Sequence, residues 1–165
     1  MTQIDTDDVE IIYVSLYRFV KPINNQKSNY MKEYEITYQI RGAIYDTYNA
    51  LGPGLLESVY EETLVYFLSK RGLQVDRQVS VPLIVEGNRL NTTLRIDLLV
   101  ERRIIIELKS VLDMRDVYHL QLLTYLKLTK LHRGILVNFN TDDIEESIWV
   151  KVNGYNSNAV LSMDD

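Results

Sequence analysis

Between residues 33 and 51 the positions Ile36, Ile40, Ala43, Ile44, Thr47, Tyr48 and Leu51 recur every three or four residues. That spacing turns one face of a helix toward a core. The run stops at Gly52-Pro53-Gly54, a rigid corner. A second helix is predicted from about Leu55 to Arg71, with Leu56, Val59, Tyr60, Leu64, Phe67 and Leu68 inward. Basic residues close it, and Gly72 stands where a C-terminal cap belongs.

From Leu73 the period shortens to that of strands. LQVDRQVSVPLIVEG alternates and is rich in Val, Glu86-Gly87-Asn88 makes a turn, and NTTLRIDLLVE returns. Another turn over Glu101 to Arg103 leads into IIIELKS, short and densely apolar. MRDVYHLQLLTYLKLTKL has the length and spacing of a helix, and GILVNF that of a buried strand. The predicted order is thus α-α-β-β-β-α-β, an α/β chain, and ESIWVKV adds an edge strand before a polar tail.

This pattern occupies residues 33–140, with residues 141–165 as the edge strand and tail of the same domain. Residues 1–32 read as an N-terminal extension: an acidic start, the run EIIYVSLYRFV that suits one strand, and the turn-prone KPINNQKSN. Met31 is a candidate alternative start.

Composition narrows the chemistry. With 165 residues, 46% hydrophobic and 25% charged, one core is expected. There is no cysteine and there are only two histidines, for neither of which, His119 or His132, the sequence names a partner. Thiolate zinc sites are excluded, so a metal here would be hard and bound by oxygen. Apolar runs fall short of the ~20 residues a bilayer requires, and the acidic start lacks the basic residues of a signal peptide. The expectation is a cytoplasmic protein without a membrane partner. A net charge of −5 argues against broad binding to phosphates, although Arg89, Arg95, Arg102 and Arg103, among others, gather basic charge locally.

Strand alternation puts Glu107 and Lys109 on one face of IIIELKS and Ile106 and Leu108 on the other. Asp97 lies in an equally apolar run one short turn earlier, so the two carboxylates can approach. Neighbouring carboxylates in apolar surroundings are costly to ionise unless a cation lies between them. Magnesium is the natural answer, and a lysine beside it suits a phosphate or an attacking water. The plain alternative is a cross-strand salt bridge from Asp97 to Lys109 or Arg95. Glu57 equally suits a helix's first turn through the dipole. Gln121 and Tyr125, four apart, share one helix face.

Gly54-x-x-Glu57-x-x-Tyr60 resembles the signature of the small bacterial GxxExxY family. Asp97, Glu107-Leu108-Lys109 and Gln121-Leu122-Leu123-Thr124-Tyr125 resemble the motif series of PD-(D/E)XK nucleases, the last motif being similar to the RecB-like branch. The resemblance spans about residues 35–140 and implies a restriction-endonuclease-like core, a central mixed β-sheet flanked by helices. By the same resemblance Asp97 and Glu107 would bind Mg²⁺ or Mn²⁺, with the Leu108 carbonyl as a further ligand. Glu57 would complete the carboxylate set directly or through water. Lys109 would orient the nucleophilic water or offset charge on the scissile phosphate, and Gln121 and Tyr125 would shape the site or touch substrate. Arg95 keeps the arginine that commonly leads into the aspartate, but Thr93 and Leu94 stand where an aromatic is usual. The implied activity is metal-dependent hydrolysis of nucleic-acid phosphodiesters, with DNA the first substrate to expect and a homodimer or protein partner left open. Two rivals stand beside it: a module on the same fold that binds nucleic acid or protein without cutting, and an interaction domain whose carboxylates form salt bridges.

Overall fold

The structure, a computed structural model, describes residues 31–154. The extension EIIYVSLYRFV and the last residues of the tail lie outside them.

Two helices come first, α1 (Glu33–Leu51) and α2 (Glu57–Lys70). Glu35 caps α1 by accepting the Lys32 backbone N–H at 2.6 Å. At the end of α2 the Gly72 N–H donates to Ser69 O and the Leu73 N–H to Leu68 O. This is the paired closure that needs a residue of positive φ, and Gly72 supplies it at 77°. Strands β1 (Val75–Val85), β2 (Asn88–Val100) and β3 (Ile104–Lys109) follow as a meander. Helix α3 (Asp116–Thr129) then crosses to β4 (Arg133–Asn138), and a single 3₁₀ turn leads into β5 (Ile148–Val152).

The strands lie in sequence order in one five-stranded sheet. Only β3 and β4 run parallel, because only they are joined by a helix rather than a turn. The molecule is therefore α/β with a mixed sheet, in the element order expected from the hydrophobic pattern and the restriction-endonuclease-like arrangement implied by the resemblance, and β5 is the predicted edge strand. α1 and α2 cover one face, packing Ile40, Ile44, Tyr60 and Leu64 against Leu98, Ile106 and Val137. α3 covers the other, packing Leu122, Tyr125 and Leu126 against Leu99, Ile105 and Leu136. β3, buried on both faces, reads as a continuous apolar run for that reason. α3 comes close to β4 at Gly134, where a Cβ would stand 2.7 Å from Leu122 Cδ1.

The inward face of α2 differs from expectation. Leu56 and Val59 are exposed, while Tyr60, Glu61, Leu64 and Leu68 are buried. The first turn of α2 reaches past the end of β3, where Glu57 meets Ser110, and Leu56 and Val59 there stay toward solvent while Tyr60 turns inward. None of the helices among the described residues is long and apolar enough to cross a membrane.

Candidate active site

β2 and β3 pair through Val100/Ile104, Leu99/Ile105 and Leu98/Ile106, and there the ladder ends. The next two positions are Asp97 and Glu107. Instead of continuing backbone pairing, the Asp97 N–H points to Glu107 Oε1 at 3.4 Å, and the Leu108 N–H donates to Asp97 Oδ2 at 2.9 Å. Each carboxylate thus takes an amide of the opposite strand where the strands part. Alternation along β2 breaks at the same point. Ile96 and Leu99, three apart, both join the α3 side, while Leu98 and Val100 join the other.

The electrostatics follow from burial. Glu107 is 2% exposed. Loss of water, then the neighbouring Asp97 charge, push its carboxyl from 4.5 up to about 8, against the opposing pull of Lys109. Asp97 is also raised, chiefly by burial, and is held back by the Leu108 N–H and the Lys109 charge. The charge of Glu57 adds to the upward shift of both. Lys109 Nζ lies 4.0 Å from Glu107 Oε2 and 5.3 Å from the centre of the Tyr118 ring. The ammonium is thus paired with Glu107, whereas the plain alternative, a cross-strand salt bridge, paired it with Asp97. One lysine does not compensate both the buried Glu107 and the partly buried Asp97, and near neutrality Glu107 keeps its proton.

Glu57 approaches from the other layer. Its Oε1 accepts the Ser110 N–H at 3.2 Å, just past the end of β3, and the Ser110 hydroxyl donates to Leu55 O. The corner that aims it is fixed by Tyr60, whose hydroxyl donates to Gly52 O at 2.7 Å and accepts the Leu55 N–H at 3.1 Å. The Tyr60 ring stacks on Phe139 with centroids 4.5 Å apart. Gly52 and Gly54 both adopt positive φ, which makes the tight corner possible. Tyr60 is fully buried and serves the corner, not the surface of the site.

On α3, Gln121 Nε2 donates to Tyr125 Oη at 2.8 Å. The phenol feels the charges of Glu107 and Asp97, and burial raises it. With Gln121 as donor, the Tyr125 O–H remains available as a donor itself. Arg95, two residues before Asp97, is exposed on β2.

Sequence reasoning overlooked three polar residues nearby. Buried Asn138 on β4 ties down the loop after β3, accepting the Val111 N–H at 3.0 Å and donating to Val111 O at 2.9 Å. Glu61 and Gln78 are joined side chain to side chain beside Asp97. Glu61 carried one signal, its place four residues after Glu57 on one helix face. Asn138 and Gln78 carried none. The histidines lie apart from this group: His132, left without a partner above, pairs through Nδ1 with Glu33 at 2.9 Å, and His119 meets Trp149 edge to face.

Among the described residues no three Asp, Glu or His side chains stand close enough together to hold an ion by themselves. The Asp97 and Glu107 pair nevertheless fits a hard divalent cation. Mg²⁺ commonly takes one or two carboxylates and completes its shell with water and phosphate oxygens. Two carboxyls that loss of water holds against ionisation, Glu107 further by the Asp97 charge, are the donors that such a charge would settle.

A family profile described as the PD-(D/E)XK nuclease superfamily matches residues 34–151. The chain belongs to the PD-(D/E)XK nuclease superfamily. In this PD-(D/E)XK protein the matched span runs from α1 into β5 and so takes in the whole sheet. No curated protein matches the chain. A solved structure described as "Crystal structure of SSO0001" aligns over 96% of this chain and 82% of its own, at 17% identity and a TM-score of 0.44. That likeness is too slight to bear on function.

Proposed function

We propose that this PD-(D/E)XK protein is a metal-dependent nuclease of the GxxExxY kind that hydrolyses phosphodiester bonds in nucleic acid, DNA first among them. The observation that carries the reading is the interlocked Asp97 and Glu107 pair, seated where β2 and β3 part and raised against ionisation. Asp97 and Glu107 would hold Mg²⁺ or Mn²⁺, with the Leu108 carbonyl beside them and Glu57 contributing directly or through water. When bound, the ion supplies Lewis acidity toward the phosphate and lowers the pKa of a water.

The remaining work falls to the chain's own residues. The Lys109 ammonium, steadied over the Tyr118 ring, would orient the attacking water or offset the growing negative charge on the scissile phosphate. The Tyr125 hydroxyl, with Gln121 occupying one of its lone pairs, would donate to a phosphate oxygen or help shape the site. Arg95 would grip the backbone of the substrate from the exposed part of β2.

The test is cleavage of labelled single- and double-stranded DNA and RNA with Mg²⁺ or Mn²⁺. The expected result is metal-dependent cutting that falls by about 10²–10³-fold or more in Asp97→Asn and in Glu107→Gln. Equal cutting by both variants overturns the assignment of these residues. Metal-independent binding of nucleic acid without cutting favours the rival, a binding module on the same fold.

A further inference from the structure

Gln78 is the only non-glycine residue inside a strand of the described chain with positive φ, at 50°. The others, Glu86, Glu101, Arg102 and Lys130, sit at turns or a helix end. Such a backbone is costly for a residue with a side chain and persists only where its surroundings hold it. The β1/β2 register passes from Arg77/Leu98 to Val79/Ile96, so Gln78 stands opposite Asp97, and that pair is missing from the ladder. Asp97 is therefore unpaired from both neighbouring strands at one level of the sheet, since pairing to β3 also stops at Leu98.

What holds the kink is Glu61. One of its oxygens accepts the Gln78 side-chain amide and the other accepts Arg77 Nε at 3.0 Å, while the residue is 8% exposed. Two successive β1 side chains thus converge on one buried carboxylate of α2, a turn beyond Glu57. Glu62, next along, takes only the outer end of Arg77, at 2.7 Å.

We infer that Glu61 and Gln78 are positioning residues: Glu61 clamps β1 in its left-handed kink, and the kink frees Asp97 from β1 so that its carboxylate can take the Leu108 N–H. The inference deepens the proposed function and rests on it for its consequence in metal binding. The geometric part stands without metal, because the Leu108 amide reports directly on the Asp97 carboxylate. No proton or bond is transferred; Glu61 acts on the site through the backbone of β1 and, through space, by its charge, which adds to the upward shift of Asp97.

The experiment measures hydrogen exchange and the NMR shift of the Leu108 amide in the metal-free full chain, and then Mn²⁺ affinity. The variants are Glu61→Ala, Gln78→Ala and Glu62→Ala. Gln78→Ala removes the clamped side chain while leaving the Glu61 charge in place, and unlike a glycine it does not hold a positive φ by itself. The expected result is about tenfold or faster exchange at Leu108 in Glu61→Ala and Gln78→Ala. Their Mn²⁺ affinity drops by about tenfold, as for the loss of outer residues that orient ligands. Glu62→Ala keeps wild-type values. Wild-type exchange and shift at Leu108 in Gln78→Ala overturn the inference. Faster Leu108 exchange in Gln78→Ala than in the wild type, with neither protein binding Mn²⁺, supports the clamp and contradicts the nuclease reading instead.

Discussion

At the scale of single residues, the site is a problem of charge. Glu107 is protonated in the folded chain up to about pH 8 but ionises near 4.5 when water reaches it. Between those values the folded state binds more protons than the unfolded one, so stability declines as pH rises. It is fully present below about 4.5 and is lost through about 8. Asp97, shifted in the same direction, adds to the decline. The melting temperature of metal-free wild type is therefore expected to fall from pH 5 to pH 9, and Glu107→Gln is expected to flatten the slope. An equal slope in both proteins contradicts the assignment. Lys109 lowers both carboxyls, so Lys109→Met raises them further. Its pH–rate profile is expected to have its acid limb displaced to higher pH, with turnover reduced about 10²–10³-fold. Asp97 and Glu107 were legible in the sequence because an ionisable residue inside an apolar strand is conspicuous. Glu61 and Gln78 were not, because a Glu on a helix and a Gln on a strand look like solvated positions until one is found buried against the other.

At the scale of elements, the corner between α1 and α2 aims Glu57. Tyr60→Phe keeps the stacked ring but leaves the partly buried Gly52 carbonyl and the Leu55 N–H without their partner. The expected cost is about 0.5–1.5 kcal/mol, read from chemical denaturation, with a loss of cutting larger than that of a surface variant such as Tyr38→Phe. Asn138→Leu removes the anchor of the loop after β3 and is expected to cost a similar amount. Unchanged stability in both variants contradicts these roles. The helices and strands were readable because burial on one face imposes a period of 3.6 or 2 on the sequence. The break in β2 was not readable. It depends on a kink in β1 at Gln78, and the usual marker of positive φ, a glycine, is absent there. Val59 misled for a related reason: the helical period runs through the first turn of α2, yet Val59 is 39% exposed.

At the scale of the whole molecule, an acidic chain of net charge −5 is expected to approach nucleic acid through a few chosen cations rather than a broad field. If Lys109 and Arg95 make the main phosphate contacts, log affinity for duplex falls with log salt at a slope of about −2. Arg95→Ala reduces that slope by about 1 without altering preference among sequences. Fluorescence anisotropy over a salt series, in an Asp97→Asn background where cutting is off, checks both values. A slope steeper than about −5 would mean that the basic residues elsewhere on the surface carry the contact.

Asp97 and Glu107 together are the expected seat of a divalent cation. Calorimetric titration of Mn²⁺ into the metal-free protein at pH 7, in two buffers of different ionisation enthalpy, tests it most directly. Saturable binding with net release of protons is expected, because Glu107 must give up the one it holds below about pH 8. Both the binding and the release are lost in Glu107→Gln and Asp97→Asn. Wild-type binding without proton release, or binding undiminished in those variants, would contradict it.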